Sequence, residues 1–567
     1  VAPQDGCGSA RIAGTLTSQK TPPRSNLEEY PVQTRREFLR TSATSLSLAG
    51  AQGLNPSRAA PAQGSGGSGK RPRLIYNNDG DDSYSPLATT PEGFLARRMK
   101  TLPGTHVDSI YYCGYVTRRH WETTYPMGPE NDPIRVTVDF ARRHGMECVF
   151  SFRMNDIHDA FIPGRLNHFK RRHPQFLLAS ISDSDSFQPF LRWNRKEGEH
   201  PLRPTREAFG IRSSEWFSWC AVDYAHPEVR QRYLQAIEEA CQRYDLDGVE
   251  LDWCRHPFFF KPGTERQHVP LLTDFVRTVR RRLRDISRQK GKTIQLAMRV
   301  ADTPELSLNN GVDAASWIEE GLVDLLVAGA GYVPFTTPVE TWIELGHRAG
   351  IPVYPCLSGS TRAFQDIRAA RAAAQRFWSA GADGLYWFNL FVMSGIRGGR
   401  GTPEIHDPHQ QQIAEETGEA AVLSRLDKRY TGDRPQDAGY IAHICPPAPL
   451  PVTFSTASGS QEKRIPIPVG DDLKESAGGS SRPQTELRIG WSTPIRPDQA
   501  AFEINGVRLA PADGIRRPGS GGTAWMDWKL PPGRIRRGTN DLTVRVQPDC
   551  PAGLTLEEVH LALTYPN

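Results

Sequence analysis

Between residues 73 and 389, short runs rich in β-branched and aromatic residues alternate eight times with longer runs whose apolar residues recur at helical spacing. No other feature of the chain narrows its fold as much. The strand-like runs are RLIYNND (73–79), VDSIYYCG (107–114), ECVFSFRMN (147–155), DGVELDW (247–253), TIQLAMRV (293–300), VDLLVAGAG (323–331), IPVYPCLSG (351–359) and ADGLYWFN (382–389). Between them, PEVRQRYLQAIEEACQRY (227–244) places Val229, Tyr233, Ile237 and Ala240 on one helical face behind a proline suited to a first turn. Eight such strands joined by helices predict an α/β fold closed as a (β/α)8 TIM barrel. An open doubly wound sheet is the competing arrangement. It would want a glycine-rich phosphate turn after the first strand, which YNNDGDD does not supply.

The ends of the chain read differently. Residues 1–52 contain TRREFLR (34–40), followed by a mild run of Ser, Thr, Ala and Leu that ends in Ala49, Gly50 and Ala51. This resembles a twin-arginine export signal and is too short and polar to span a bilayer, so the expected location is periplasmic or extracellular, with no stable membrane anchor. Residues 53–70, rich in Gly, Ser, Ala and Pro, read as a disordered linker, and the catalytic barrel is expected over 71–427. Over 428–567 the helical pattern gives way to short alternating runs such as TELRIGW, AWMDWKL and EVHLALTY, which predict a connecting segment and a C-terminal antiparallel β-sandwich. This second domain either binds glycan or braces the barrel. Bracing is the favoured reading, because a fold alone assigns no function.

The formal net charge of +5 in 567 residues, with no long basic block, argues against a nucleic-acid partner. The nine cysteines form no CxxC pair and suggest neither a disulfide scaffold nor a zinc site. Cys445 and Cys550 could pair only if the fold brings them together. Oligomeric state is left open by the sequence.

Strand alternation puts Glu250 and Asp252 on one face, pointing into the barrel, with Asp252 at the mouth and Glu250 one layer deeper. Such carboxylates either pair with buried arginines or split their pKa values for acid-base work. Arg153, Arg255 and Arg299 lie at or just past strand ends, where a fork of arginines suits a carboxylate or sulfate on a substrate. Alternation also groups Asn77 with Asp79 at the end of the first strand, making Asp79 a second mouth carboxylate or a turn cap. The connection from residue 156 to about 226 is too long and too aromatic to be idle; it supplies His158 and His200 as candidate acid or base groups. At the last strand, Trp387 is a candidate to stack on a sugar face or to pack in the core, and Asn389 to bond a hydroxyl.

At DLDGVELDW, preceded by HPEVRQRYLQAIEEACQRY, the sequence resembles the glycosyl-hydrolase-like barrels related to family ten, over roughly residues 71–389. Asp245, Asp247, Gly248 and Asp252 carry the resemblance, followed by Arg255 and Pro257. Within such barrels, the inverting exo-sialidases of glycoside hydrolase family 156 are similar in layout. That layout implies a catalytic Asp79 closing the first strand, His200 in the loop after the third, and Arg195, Arg255 and Asn389 about an acidic sugar. The expected activity is hydrolysis of a glycosidic bond in a carbohydrate, of an anionic sugar by preference. Two schemes stay open: Asp79 or Asp252 as acid with a second carboxylate activating water, or His200 as base with Asp79 across the sugar. Neither requires a metal or another cofactor. The rivals are a non-catalytic carbohydrate-binding barrel and a metal-dependent deacetylase or amidohydrolase. The latter would want clustered histidine ligands, and the sequence has none.

Overall fold

A computed structural model describes residues 73–566 except 86, 115–126, 129–130, 158–166, 179–219, 262, 392–407, 435–442, 456–458, 474–481, 497, 511–512 and 520–522. The leader and linker expectations, and the candidates His158, Arg195 and His200, lie outside the described residues.

Eight parallel strands close on themselves in chain order: β1 (Leu74–Asn78), β2 (Val107–Tyr112), β3 (Glu147–Arg153), β4 (Gly248–Asp252), β5 (Gln295–Val300), β6 (Leu325–Ala328), β7 (Val353–Ser358) and β8 (Leu385–Phe388), with β8 pairing back onto β1. The α/β barrel read from the sequence is the observed fold. Each strand is buried on both faces, which is why the runs are nearly continuous in apolar residues. Ile75, Tyr111, Val149, Ala297, Val327 and Tyr354 fill the interior, while alternate residues face the helices.

The surrounding helices follow the same arithmetic. Helix α1 (Pro91–Arg98) starts at Thr90, whose hydroxyl accepts the Gly93 N–H, and has proline in its first turn. Helix α2 (Val269–Lys290) buries Leu272, Phe275, Val276, Val279, Leu283 and Ile286 at three- and four-residue spacing, and stops at Gly291 with φ 63°.

After the barrel, β9 (Lys428–Thr431) pairs with β18 (Thr555–Thr564), so the first strand past the barrel already belongs to the sandwich. One sheet runs β10 (Val452–Thr453), β18, β12 (Gln484–Trp491), β16 (Ala524–Leu530), β15 (Ile515–Pro518). The other runs β11 (Gln461–Val469), β17 (Gly538–Val546), β13 (Ala500–Ile504), β14 (Val507–Leu509). The β13–β14 hairpin turns at Asn505-Gly506, with φ 53° and 77°, the left-handed pair a tight two-residue turn requires. Between the sheets Phe502 packs its ring 5.0 Å from Trp528 and 6.2 Å from Trp491. Residues Gln63–Asn567 form one compact unit. The junction is polar and buried: Lys428 pairs with Asp471 at 2.8 Å, and Asp433 accepts the Phe335 and Thr336 N–H groups at 3.0 and 2.7 Å. All eight described cysteines are free thiols. Cys445 packs by Cys254 near the barrel mouth, while Cys550 belongs to a separate core cluster.

The fold corrects the expectation that Trp387 offers its ring to a sugar. On β8 the inward residues are Tyr386 and Phe388; Trp387 is 1% exposed, packs edge-on against Phe364 at 5.4 Å and donates its ring N–H to Thr417 at 3.1 Å. Trp387→Ala therefore removes a core anchor, and thermal or denaturant unfolding should register a loss of about 3–5 kcal/mol.

Candidate active site

Register in a parallel barrel decides which inward side chains share a rung. Asp252 on β4 lies beside Arg153 on β3 and Arg299 on β5, and one layer below Glu250 lies beside Ser151 and Ala297. The lower rung is closed to solvent. Glu250 Oε2 accepts the hydroxyls of Ser151 at 2.5 Å and Tyr386 at 3.1 Å. Burial, and then the charge of Asp252, push the Glu250 carboxyl up to about 8. Glu250 is therefore a neutral acid over much of the ordinary pH range.

The upper rung is charged, and its buried carboxylate meets a guanidinium. Asp252 Oδ2 accepts from Arg299 Nη1 at 3.1 Å, both side chains being buried, and Asp252 Oδ1 accepts the N–H groups of Cys254 and Arg255 at 2.9 and 3.0 Å. The other arm of Arg299 donates to the Ala330 carbonyl at 3.0 Å, and its guanidinium lies 4.1 Å from the centre of the Phe388 ring. Asp252 is thus a tie between strands and loop. Three of its acceptor positions are engaged by Arg299 and the two loop N–H groups, which hold the side chain in place. Arg299 is likewise committed to protein acceptors.

Asp79 closes β1 and keeps 13% of its side chain open at the mouth. Its Oδ1 accepts from Arg98 Nη1 at 3.0 Å, its Oδ2 from Asn389 Nδ2 at 2.8 Å, and Arg153 Nη2 stands 3.7 Å away. Burial alone would raise its pKa; Arg98, then Arg153, outweigh it and hold the carboxyl down at about 2. Asp79 is an anion, not a proton donor. Its neighbour Asp81 shares Arg98 and leaves 67% of its side chain to solvent, while protein atoms crowd the rest. That crowding first, and then the Asp79 charge, push Asp81 up to about 6, a rise that water on its exposed side tempers. Gly80, between them, has φ 81°, and a Cβ there would sit 1.6 Å from the Cys113 carbonyl oxygen.

Two non-glycine residues just past barrel strands adopt positive φ: Asn389 after β8 (51°) and His256 after β4 (54°). Such backbone persists where the surroundings fix it, commonly at functional sites. Asn389 is turned by it onto Asp79. His256 is buried, its Nδ1 accepts the Ile157 N–H at 3.3 Å, and Asp156 Oδ1 lies 4.0 Å away. Asp156 also accepts from Arg153 Nη1 at 3.0 Å.

The structure thus gathers Asp79, Arg153 and Asn389 at the mouth, with Asp252 and Arg299 on the rung and Glu250 beneath. Arg255 joins them, its guanidinium 5.9 Å from the centre of the Phe388 ring and within electrostatic reach of Asp79. Asn77 is buried on the same inward face, and its Oδ1, like Glu250 Oε1 and Asn389 Oδ1, accepts no hydrogen bond from the described residues. Arg98, Asp81, Asp156 and His256 were not read from the sequence. For Asp81 the signal was present in the acidic run NNDGDD; for Arg98, on a helix twenty residues away, there was none. Asp245 and Asp247, which carried the sequence resemblance, bind Arg142 and Lys292 before β4 begins, so that part of the motif secures the fold.

No family profile and no curated protein matches this sequence. Solved structures do. The chain is similar to an α-amylase from Geobacillus thermoleovorans complexed with acarbose (12% identity, 83% of this chain and 98% of that chain, TM-score 0.36). It is similar also to α-L-fucosidase isoenzyme 2 from Paenibacillus thiaminolyticus (12%, 63% and 50%, 0.37) and a family GH36 α-galactosidase from Geobacillus stearothermophilus (12%, 84% and 55%, 0.33). This chain spans about half the length of the last two. At these values the barrel assignment rests on the strand pairing itself.

The folded-state pKa of Glu250 lies above its ordinary 4.5, so the cost of burying its charge appears as pH rises from 4.5 through about 8. The resistance of the native protein to thermal unfolding should weaken over that window. Glu250→Gln, neutral throughout, should lose less stability between pH 5 and pH 9.

Proposed function

We propose that this chain is a glycoside hydrolase working at the barrel mouth around Asp79. The observation that carries the reading is an oriented, ionised carboxylate, open to the mouth at the C-terminal end of β1, where barrel enzymes place their chemistry. Two arginines keep it charged and Asn389 fixes its direction. A carboxylate so held takes the proton of an attacking water or stabilises positive charge at an anomeric carbon. In a single displacement, water adds to that carbon, the glycosidic C–O bond breaks, Asp79 accepts the proton of water, and the leaving oxygen takes a proton from a donor across the sugar. His200, from the long connection and expected from the sequence to be the base, is our proposed donor instead, because Asp79 is held ionised. The product then has inverted configuration. Asn77 Oδ1 and Asn389 Oδ1, buried acceptors with no donor among the described residues, suit sugar hydroxyls.

We favour an acidic sugar in the manner of the family 156 sialidases, a layout that the Asp79–Asn389 contact supports. Arg255 and Arg195 are the proposed partners of its negative charge. Arg153 and Arg299, earlier expected in that role, are instead bound to Asp79, Asp156 and Asp252 and serve to hold carboxylates. Export through the twin-arginine pathway is part of the same proposal and rests on TRREFLR.

A panel of neutral, uronic and sialic aryl glycosides tests the reading. Turnover of an acidic glycoside should fall by roughly a hundredfold or more in Asp79→Asn and in His200→Ala; binding without turnover of any glycoside would sink it. The pH profile adds a second check. Removing the Arg98 charge raises the Asp79 pKa, so Arg98→Gln should bring an acid limb of kcat/KM up into the measurable range, and Arg98→Lys should move it less.

A further inference from the structure

Beside the mouth, where the loops after β6 and β7 meet strands β9 and β18, lies a cavity of about 390 Å³. Its walls include Tyr332, Thr361, Arg362, Arg429, Arg434 and His560. It adjoins the candidate active site through one short stretch of chain. Ala330 accepts from Arg299 on the mouth rung, Gly331 accepts from the Thr361 hydroxyl at 3.3 Å, and Tyr332 forms the cavity wall.

Its charges do not cancel. Asp366 is shared by Arg368 at 2.7 Å and Arg429 at 3.0 Å, so one carboxylate serves two guanidinium groups. Arg429 Nε is buried and meets no acceptor among the described residues. Glu558, also in the lining, is occupied by His560 at 3.0 Å and Arg434 at 3.4 Å, and Arg434 is held by Glu557 as well at 2.9 Å. Asp433, the other acid in the lining, is buried under the Thr336 hydroxyl and the two loop N–H groups. Burial pushes it up to about 7, so it is only partly ionised near neutrality. The space thus offers guanidinium donors, threonine hydroxyls and one aromatic ring, in a volume of the size that small ligands occupy.

We propose that this cavity is a second binding subsite that takes a carboxylate-bearing sugar unit of an oligosaccharide whose other end lies in the mouth, with Arg429 and Arg362 holding the carboxylate and Tyr332 lying against the ring. The inference rests on the saccharide reading of the mouth. It gives the sandwich a share in substrate selection, because Arg429, Arg434 and His560 come from β9 and β18 or the turn after β9.

Calorimetric titration of the full chain with an oligogalacturonate and with a maltooligosaccharide of equal length tests it. The acidic oligomer should bind more tightly. Its Kd should weaken roughly tenfold or more in Arg429→Gln and, on a separate loop, in Arg362→Ala, since hydrogen bonds to charged groups are worth that much. Far-ultraviolet circular dichroism on each variant identifies any loss due to misfolding, and two variants on different elements keep the test decisive. Unchanged affinity in both folded variants, or equal affinity for the neutral oligomer, overturns the subsite. Aryl glycoside turnover, measured alongside, separates the two readings. Turnover with unchanged affinities overturns the subsite alone, whereas arginine-dependent binding with no turnover of any glycoside keeps the subsite and overturns the hydrolase.

Discussion

A closed parallel barrel admits charge to its interior only where a neighbouring strand supplies the opposite charge on the same rung. Here that rung is Arg153, Asp252 and Arg299, and the mouth is organised around it. The Asp252–Arg299 pair is shielded from water, so removing either partner would strand the other, at a cost on the order of 3–5 kcal/mol. Each partner also reaches beyond the rung. Asp252 caps the N–H groups of Cys254 and Arg255, which sets the turn into His256, and Arg299 holds the Ala330 carbonyl of the loop after β6. With Asp252 already matched, Arg153 is left to face Asp79 and Asp156. One ion pair thereby fixes two loops and directs a second cation at the candidate reaction centre.

The alternation of strands and helices was legible because each buried strand is an apolar run and each helix has an apolar stripe. The placing of Glu250, Asp252 and Arg299 followed from the period of two along a strand. That period holds only within a strand. Trp387 and Asn389 share a face on paper, but Asn389 lies past the end of β8 with φ 51°, and the turn brings it to the mouth while Trp387 stays among the helices. Arg98 was illegible for another reason: it reaches Asp79 from a helix, and no sequence period links the two. In the second domain, β11 escaped notice because Pro466 and Pro468 interrupt it. It lies at the edge of its sheet, where a missing N–H is tolerated.

Glu250 and Asp79 are both inward-pointing carboxyls at strand positions, yet one is pushed up to about 8 and the other held near 2. Burial disfavours the charge in both cases, so burial cannot explain the difference. What differs is the company. Glu250 has two neutral hydroxyls and a neighbouring anion; Asp79 has Arg98 and Arg153. The neutral acid beneath serves packing and leaves the rung above it free of like charge below pH 8. The anion above stays open to the mouth. A carboxylate that two cations hold ionised carries no proton to give at ordinary pH, and its value to catalysis lies in its fixed negative charge and its direction. The glycosidic cleavage proposed above develops positive charge on carbon and releases a proton from water, and it would draw on both properties.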